Sequence, residues 1–148
     1  MVVPGATQLD PDHPHNFSKL GKEYLEAAKI LDSHHQNQPD WPTFFVVCQA
    51  LELYLKAFLV AHRVSVEDLI NRKVFGHDLQ LGFEKAIKLG LGERLDFTDD
   101  LRRCVAVINQ PYKERDFQYK GSGSWELIFI SPLISLVDSL VKAARLDY

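Results

Sequence analysis

The chain has few cysteines, no overall basic charge and no long unbroken apolar run, and each shortage removes a class of function. Its two cysteines, Cys48 and Cys104, both fall inside apolar helical patterns. Isolated thiols of that kind behave as small buried hydrophobes in a reducing compartment, which argues against a disulfide framework and against a cysteine nucleophile. A formal net charge of −3 and a pI near 6.0 supply no global positive field, so a nucleic-acid partner has to be held by a local patch. No window reaches about 18 uninterrupted apolar residues, and the N-terminal MVVPGATQLDPDHPH has no basic region leading into an apolar one. The expectation is a cytoplasmic protein with no membrane span. Pro4, Pro11 and Pro14, with few large apolar side chains between them, make residues 1–15 read as a loose arm and residues 16–148 as one domain.

What the chain does have is helical periodicity. Phe17, Leu20, Tyr24, Ala27, Ala28 and Leu31 recur at three- and four-residue spacing, which predicts an amphipathic helix from about Asn16 to His34. WPTFFVVCQALELYLKAFLVAHR follows, with Asp40 or Thr43 as cap and nearly every position apolar, as a buried central helix requires. Its exceptions, Gln49, Glu52, Lys56 and Arg63, fall within roughly 60° of one another at helical pitch and leave one narrow polar stripe. Ser65 and Asp68 have capping-box spacing, predicting a short helix over Val66 to about Lys73. Gly76 closes that connection. A further helix is expected from near Asp78, carrying Leu79, Phe83 and Ile87, with Gly90 after its end. The next is expected to start with Thr98 as its N-cap, followed by Asp99 and Asp100, and to bury Leu101, Cys104, Val105 and Ile108 before Pro111.

From Pro111 to Ile130 the periodicity lapses, and PYKERDFQYKGSGSWELIFI reads as a long connection, with WELIFI its one β-like window. Ser131-Pro132 then opens a last helix with Leu133, Leu136, Val137, Leu140 and Ala144 on its inner stripe. The sum is an all-α helical bundle of about five or six helices, with no repeat and no sheet.

ALELYLKAFL (Ala50 to Leu59), then GHDL (Gly76 to Leu79) and a Leu-rich helix, resemble the HEPN superfamily of small helical-bundle domains. The resemblance spans most of residues 16–148. It implies an up-and-down helical core, frequent homodimers, and one of two kinds of activity. Some members are metal-independent ribonucleases, in toxin–antitoxin or defence systems among others, that use an arginine four to six residues before a histidine. Others are non-catalytic modules that pair with minimal nucleotidyltransferases or bind nucleotides.

Arg72 and His77, in NRKVFGHDL, fit the ribonuclease spacing. Cleaving RNA through its 2′-hydroxyl needs an acid and a base near neutral pH and a cation on the crowded phosphate, which histidine and arginine provide. One protomer supplies one histidine, so a dimeric, composite site would be needed. The motif lies earlier in the chain than the ribonuclease pattern implies, and Lys73, not a small polar residue, follows the arginine. His77-Asp78 matches the H-D-L that opens a helix in the non-nuclease branch, where such residues cap free amides. The preferred reading is therefore a non-catalytic module for a nucleotide, an RNA segment or a nucleotidyltransferase partner, with the composite ribonuclease as the alternative.

Further ligand-binding candidates are Glu52, Lys56, Asp78, Arg102, Arg103, Arg115 and Tyr119. Glu52 and Lys56 have the spacing of a simple helical ion pair, or else face a groove. Arg102, Arg103, Lys113, Arg115 and Lys120, interleaved with Tyr112, Phe117 and Tyr119, suit phosphate binding and base stacking, or form a solvated helix end and loop. KGSGS lacks the flanking strand and helix of a phosphate-cradling loop. The histidines at 13, 15, 34 and 35 lack companion ligands, so no metal is expected, nor any cofactor.

Overall fold

The computed structural model describes residues 13–34, 40–71, 73–114 and 130–147. Six α-helices carry this part of the chain: α1 (Pro14–His34), α2 (Trp41–Ala61), α3 (Val66–Ile70), α4 (Leu79–Lys88), α5 (Thr98–Glu114) and α6 (Ile130–Ala144). A 3-10 turn, Leu91–Arg94, joins α4 to α5, and no strand occurs among the described residues. The fold is an all-α bundle.

Helix α2 is its axis. Every residue from Ala50 to Leu59 is buried, and α1, α4, α5 and α6 all pack on it. It is also long and apolar enough to cross a membrane, yet 72% of its most apolar window is covered by the rest of the fold. Asp40 caps it, accepting from the Thr43 amide at 2.9 Å and from the Thr43 hydroxyl at 2.8 Å, and Pro42 sits in the first turn, where its missing N–H costs nothing. At the other end, Val64 N–H donates to Leu59 C=O and Arg63 N–H to Val60 C=O. These two bonds make a Schellman turn with Arg63 at φ 69°, where glycine is the strain-free residue. Arg145 closes α6 in the same conformation.

Helix α1 lies along α2. Two helices of 21 residues, each about 31 Å long, are joined by residues 35–40, whose contour of about 20 Å is too short for a parallel return. They therefore run antiparallel. The helix starts at Pro14, two residues before the expected boundary, because Pro14 fits the first helical position and the His13 ring accepts from the His15 amide at 3.0 Å. Residues 1–12 of the expected arm lie outside the described residues.

The buried row of α1 is Ser18, Gly21, Leu25 and Ala28, whereas Leu20 is 47% exposed. The expected stripe is thus rotated. Counting apolar residues overlooks that Gly21 admits the Tyr54 ring: a Cβ there would stand 3.1 Å from it.

Helix α5 departs most from expectation, because it continues through Pro111 to Glu114. Proline inside a helix costs about 3 kcal/mol. Tertiary contacts offset that cost: Pro111 and Tyr112 are buried, and Lys113 reaches Asp78 at 3.1 Å. Smaller differences are that α3 ends at Ile70, that Thr98 is the first helical residue and not the cap, and that Ser131 falls inside α6. The Ser131 hydroxyl donates to Asp32 at 2.8 Å, and Lys29 pairs with Asp138 at 2.8 Å, together fastening α1 to α6. The long connection, including most of WELIFI, lies outside the described residues.

Candidate functional site

The middle of the α2 polar stripe turns inward, whereas Arg63 lies beyond the helix end and is exposed. Glu52 is 4% exposed and Lys56 9%, so neither can be left as an isolated charge. Lys56 Nζ donates to Glu52 Oε1 at 2.5 Å. His77 Nδ1 stands 3.0 and 3.1 Å from the two carboxylate oxygens, and the Tyr112 hydroxyl also reaches Glu52. Two helices, α2 and α5, and the α3–α4 connection thus converge on a single carboxylate. The Tyr112 oxygen lies 2.6 Å from the Gln49 side-chain amide as well. A phenol has one proton to give, so when Glu52 receives it, the Gln49 amide has to present its NH2 to the phenol oxygen.

Burial pushes the Glu52 carboxyl up, but the His77 hydrogen bond, the Lys56 charge and the Tyr112 hydroxyl outweigh it and hold the group below the usual carboxylate range. The ring of His77 stands edge-on to Tyr112, at 6.1 Å between centroids, and its side chain is 34% exposed.

A second cluster begins one residue later. Asp78 caps α4, accepting from the Leu81 amide at 2.9 Å. The buried Asn109 of α5 accepts from the Leu79 and Gln80 amides at 2.8 and 3.3 Å and donates to Asp78 at 3.1 Å. Asp78 and Asn109 together satisfy three amides that the start of a helix leaves open. Burial raises the Asp78 carboxyl, but the Leu81 amide, Lys113 and Asn109 prevail and lower it. The two neighbouring residues of GHDL therefore serve two networks, His77 the Glu52 hub and Asp78 the start of α4.

The other sequence candidates are dispersed. Arg102 bonds Glu84 at 2.7 Å and Asp99 at 3.5 Å, with its guanidinium 5.9 Å from the centre of the Phe83 ring. Arg103, 74% exposed, pairs with Asp100 on its own helix. Their ion-pair partners are Glu84, Asp99 and Asp100, outside the Glu52 cluster. Tyr112 is fully buried, so it cannot stack a base from solvent. Arg72, Arg115 and Tyr119, with Phe117 and Lys120, lie outside the described residues.

The cavity beside Glu52 and Lys56, bounded by Phe75, Gly76 and Gly82, holds about 10 Å³. That is the scale of one water molecule, so this stretch of the stripe is interior packing and not the wall of a ligand-sized groove. Burial and the neighbouring Glu52 charge push the Cys48 thiol well up, and burial followed by Asp100 raises Cys104, so both are poor nucleophiles. Among the described residues, no three His, Cys, Asp or Glu side chains gather as a metal site requires.

Of the residues singled out from the sequence, Glu52, Lys56 and His77 come together and Asp78 stands beside them, whereas Asn109 and the internal role of Tyr112 were not expected. The available signal was Asn109 itself, a polar residue on the same helical row as Leu101, Val105, Ile108 and Tyr112. Comparison of the chain with family models, with curated proteins and with solved structures finds no match.

Proposed function

We propose that this chain is a non-catalytic, HEPN-like binding and interaction module that works as a homodimer and takes a nucleotide, an RNA segment or a nucleotidyltransferase partner. The supporting observation is the division of labour at GHDL: His77 is a donor to a buried carboxylate and Asp78 is a helix cap. Both residues thereby have a structural role that requires no reaction. An anionic ligand would be held near the exposed edge of this network, where His77 and Lys113 stand at the surface. The cations at 115 and 120 follow Lys113 closely in the chain.

The test is titration of the pure protein with ATP and with a short single-stranded RNA, at two salt concentrations. Binding that weakens with salt and with Lys113→Ala supports the module. Absence of binding to either ligand removes the nucleotide branch and leaves the protein-partner branch. Sizing at micromolar concentration tests the dimer, and a monomer would also remove the composite nuclease.

One observation favours the ribonuclease alternative. A carboxylate behind Nδ1 of a partly exposed histidine is the arrangement that orients an imidazole for acid–base work. In that reading His77 is the acid or base and Arg72 binds phosphate.

A further inference from the structure

A cavity that faces solvent and is lined by unpaired cations lies on another side of α4. It is a groove of about 730 Å³ between the α2–α3 turn, the α3–α4 connection and the outer face of α4. We propose that this groove is a docking surface for an acidic, amphipathic segment of a partner protein.

Charge is the first argument. Arg63, Lys73, Lys85 and Lys88 line the groove against two carboxylates, Asp68 and Glu84. Glu84 is already engaged by Arg102, whereas none of the four cations has an ion pair among the described residues. Lys85 and Lys88 occupy the last turn of α4, where they also complement the helix dipole, but that interaction leaves their ammonium groups able to receive a carboxylate. The groove therefore offers several unspent cations to an anionic occupant.

The apolar lining decides which anion. Val64, Val74, Phe75 and Leu81 alternate with the cations, and Val74 and Leu81 are 36% and 46% exposed. Single-stranded nucleic acid is held by a succession of aromatic faces, and Phe75 is the one aromatic ring here. Aliphatic floor with a lysine rim instead matches a peptide that carries Leu or Val on one side and Asp or Glu on the other. Leu81, Lys85 and Lys88 are spaced four and three residues apart, so they form one face of α4 along which such a segment would lie.

The surface is separate from the Glu52 network, and the inference rests on the interaction-module reading only in supposing that the chain has a partner. It gives that partner a face and a chemistry.

The probe is a fluorescein-labelled amphipathic peptide of about two heptads built from Leu and Glu, with a Leu/Lys peptide of the same pattern and labelled oligouridine as comparisons. Anisotropy should show the acidic peptide binding best, less tightly as salt rises. Binding should fall about tenfold or more in Lys73→Glu/Lys85→Glu. Leu81→Ser should weaken it while leaving the salt dependence in place. Arg63→Gly gives the sharpest contrast, because it relieves the left-handed strain at the end of α2 and should raise the melting temperature while weakening the peptide. The double variant should keep the wild-type circular dichroism, and His77→Ala should not alter peptide binding.

Equal binding of the acidic and basic peptides, no binding of the acidic one, or unchanged affinity in the folded double variant would overturn the proposal. Oligouridine bound in preference to the peptide, and lost in the same variant, would reassign the groove to nucleic acid. ATP or RNA binding that fails with Lys113→Ala but survives in the groove variants bears on the central reading and not on this one.

Discussion

Replacing Glu52 by glutamine removes one charge from the centre of the bundle while nearly preserving its shape. Three donors lose their common acceptor: Lys56, His77 and Tyr112. Lys56 is the costly one. Its side chain is 11% exposed and Glu52 is its ion-pair partner, so the variant leaves an ammonium with little water and no counter-charge. Removing one partner of a buried pair costs about 3–5 kcal/mol, and because glutamine keeps one acceptor oxygen the lower end, about 3 kcal/mol, is expected. Lys56→Met should cost less, about 1 kcal/mol, since Glu52 then keeps two donors.

The pH dependence gives a sign that packing alone would not. Glu52 titrates below its ordinary range in the folded protein, so its contribution is complete above the unfolded carboxylate value, about pH 4, and disappears as pH falls through the lower folded value. Urea unfolding at neutral pH and at steps through the acid range measures both quantities. The gap between wild type and Glu52→Gln should be widest near neutrality and close on acidification, at up to about 1.4 kcal/mol per pH unit for the one proton concerned. A Glu52→Gln protein as stable as wild type at pH 7, or a gap that does not change with acid, would refute the hub.

Asn109→Ala should destabilise by about 1–2 kcal/mol in the same unfolding assay, because the Leu79 and Gln80 amides lose their acceptor inside the fold. Asn109→Asp should recover part of the loss. Two helical glycines should respond with opposite sign to alanine. Gly21→Ala drives a methyl against the buried Tyr54 ring and should lower stability by about 1 kcal/mol. Gly82→Ala meets no atom within 4 Å and should gain about 1 kcal/mol from helix propensity. Equal effects at the two positions would contradict the close approach of α1 to α2.

The helical class and most helix starts were legible because their signals are local. Asp40, Ser65 and Asp78 each bond an amide within three residues, and α2 declares its burial by composition. What was illegible depended on contacts far along the chain. Glu52 and Lys56 looked like a pair that would either solvate or face a groove, and only the arrival of His77 and Tyr112, 25 and 60 residues away, makes them interior. Pro111 looked like a helix end because proline weakens the local ladder, and the bonds that keep the turn helical come from α2 and from Asp78. Gly21 carried no apolar side chain to count, although its missing Cβ is what seats α1.

Whether His77 and Asp78 build the fold without cutting RNA is decided by a cleavage assay in EDTA. Wild type, Arg72→Ala and His77→Ala, purified identically, would be incubated with a panel of single-stranded RNAs, and the ends and melting temperatures compared. Wild type should show no cleavage above the level of the variants, and His77→Ala should lose about 0.5–2 kcal/mol of stability. Cleavage leaving cyclic-phosphate ends, abolished in both variants at unchanged melting temperature, would contradict this and make the connection between α3 and α4 an active site.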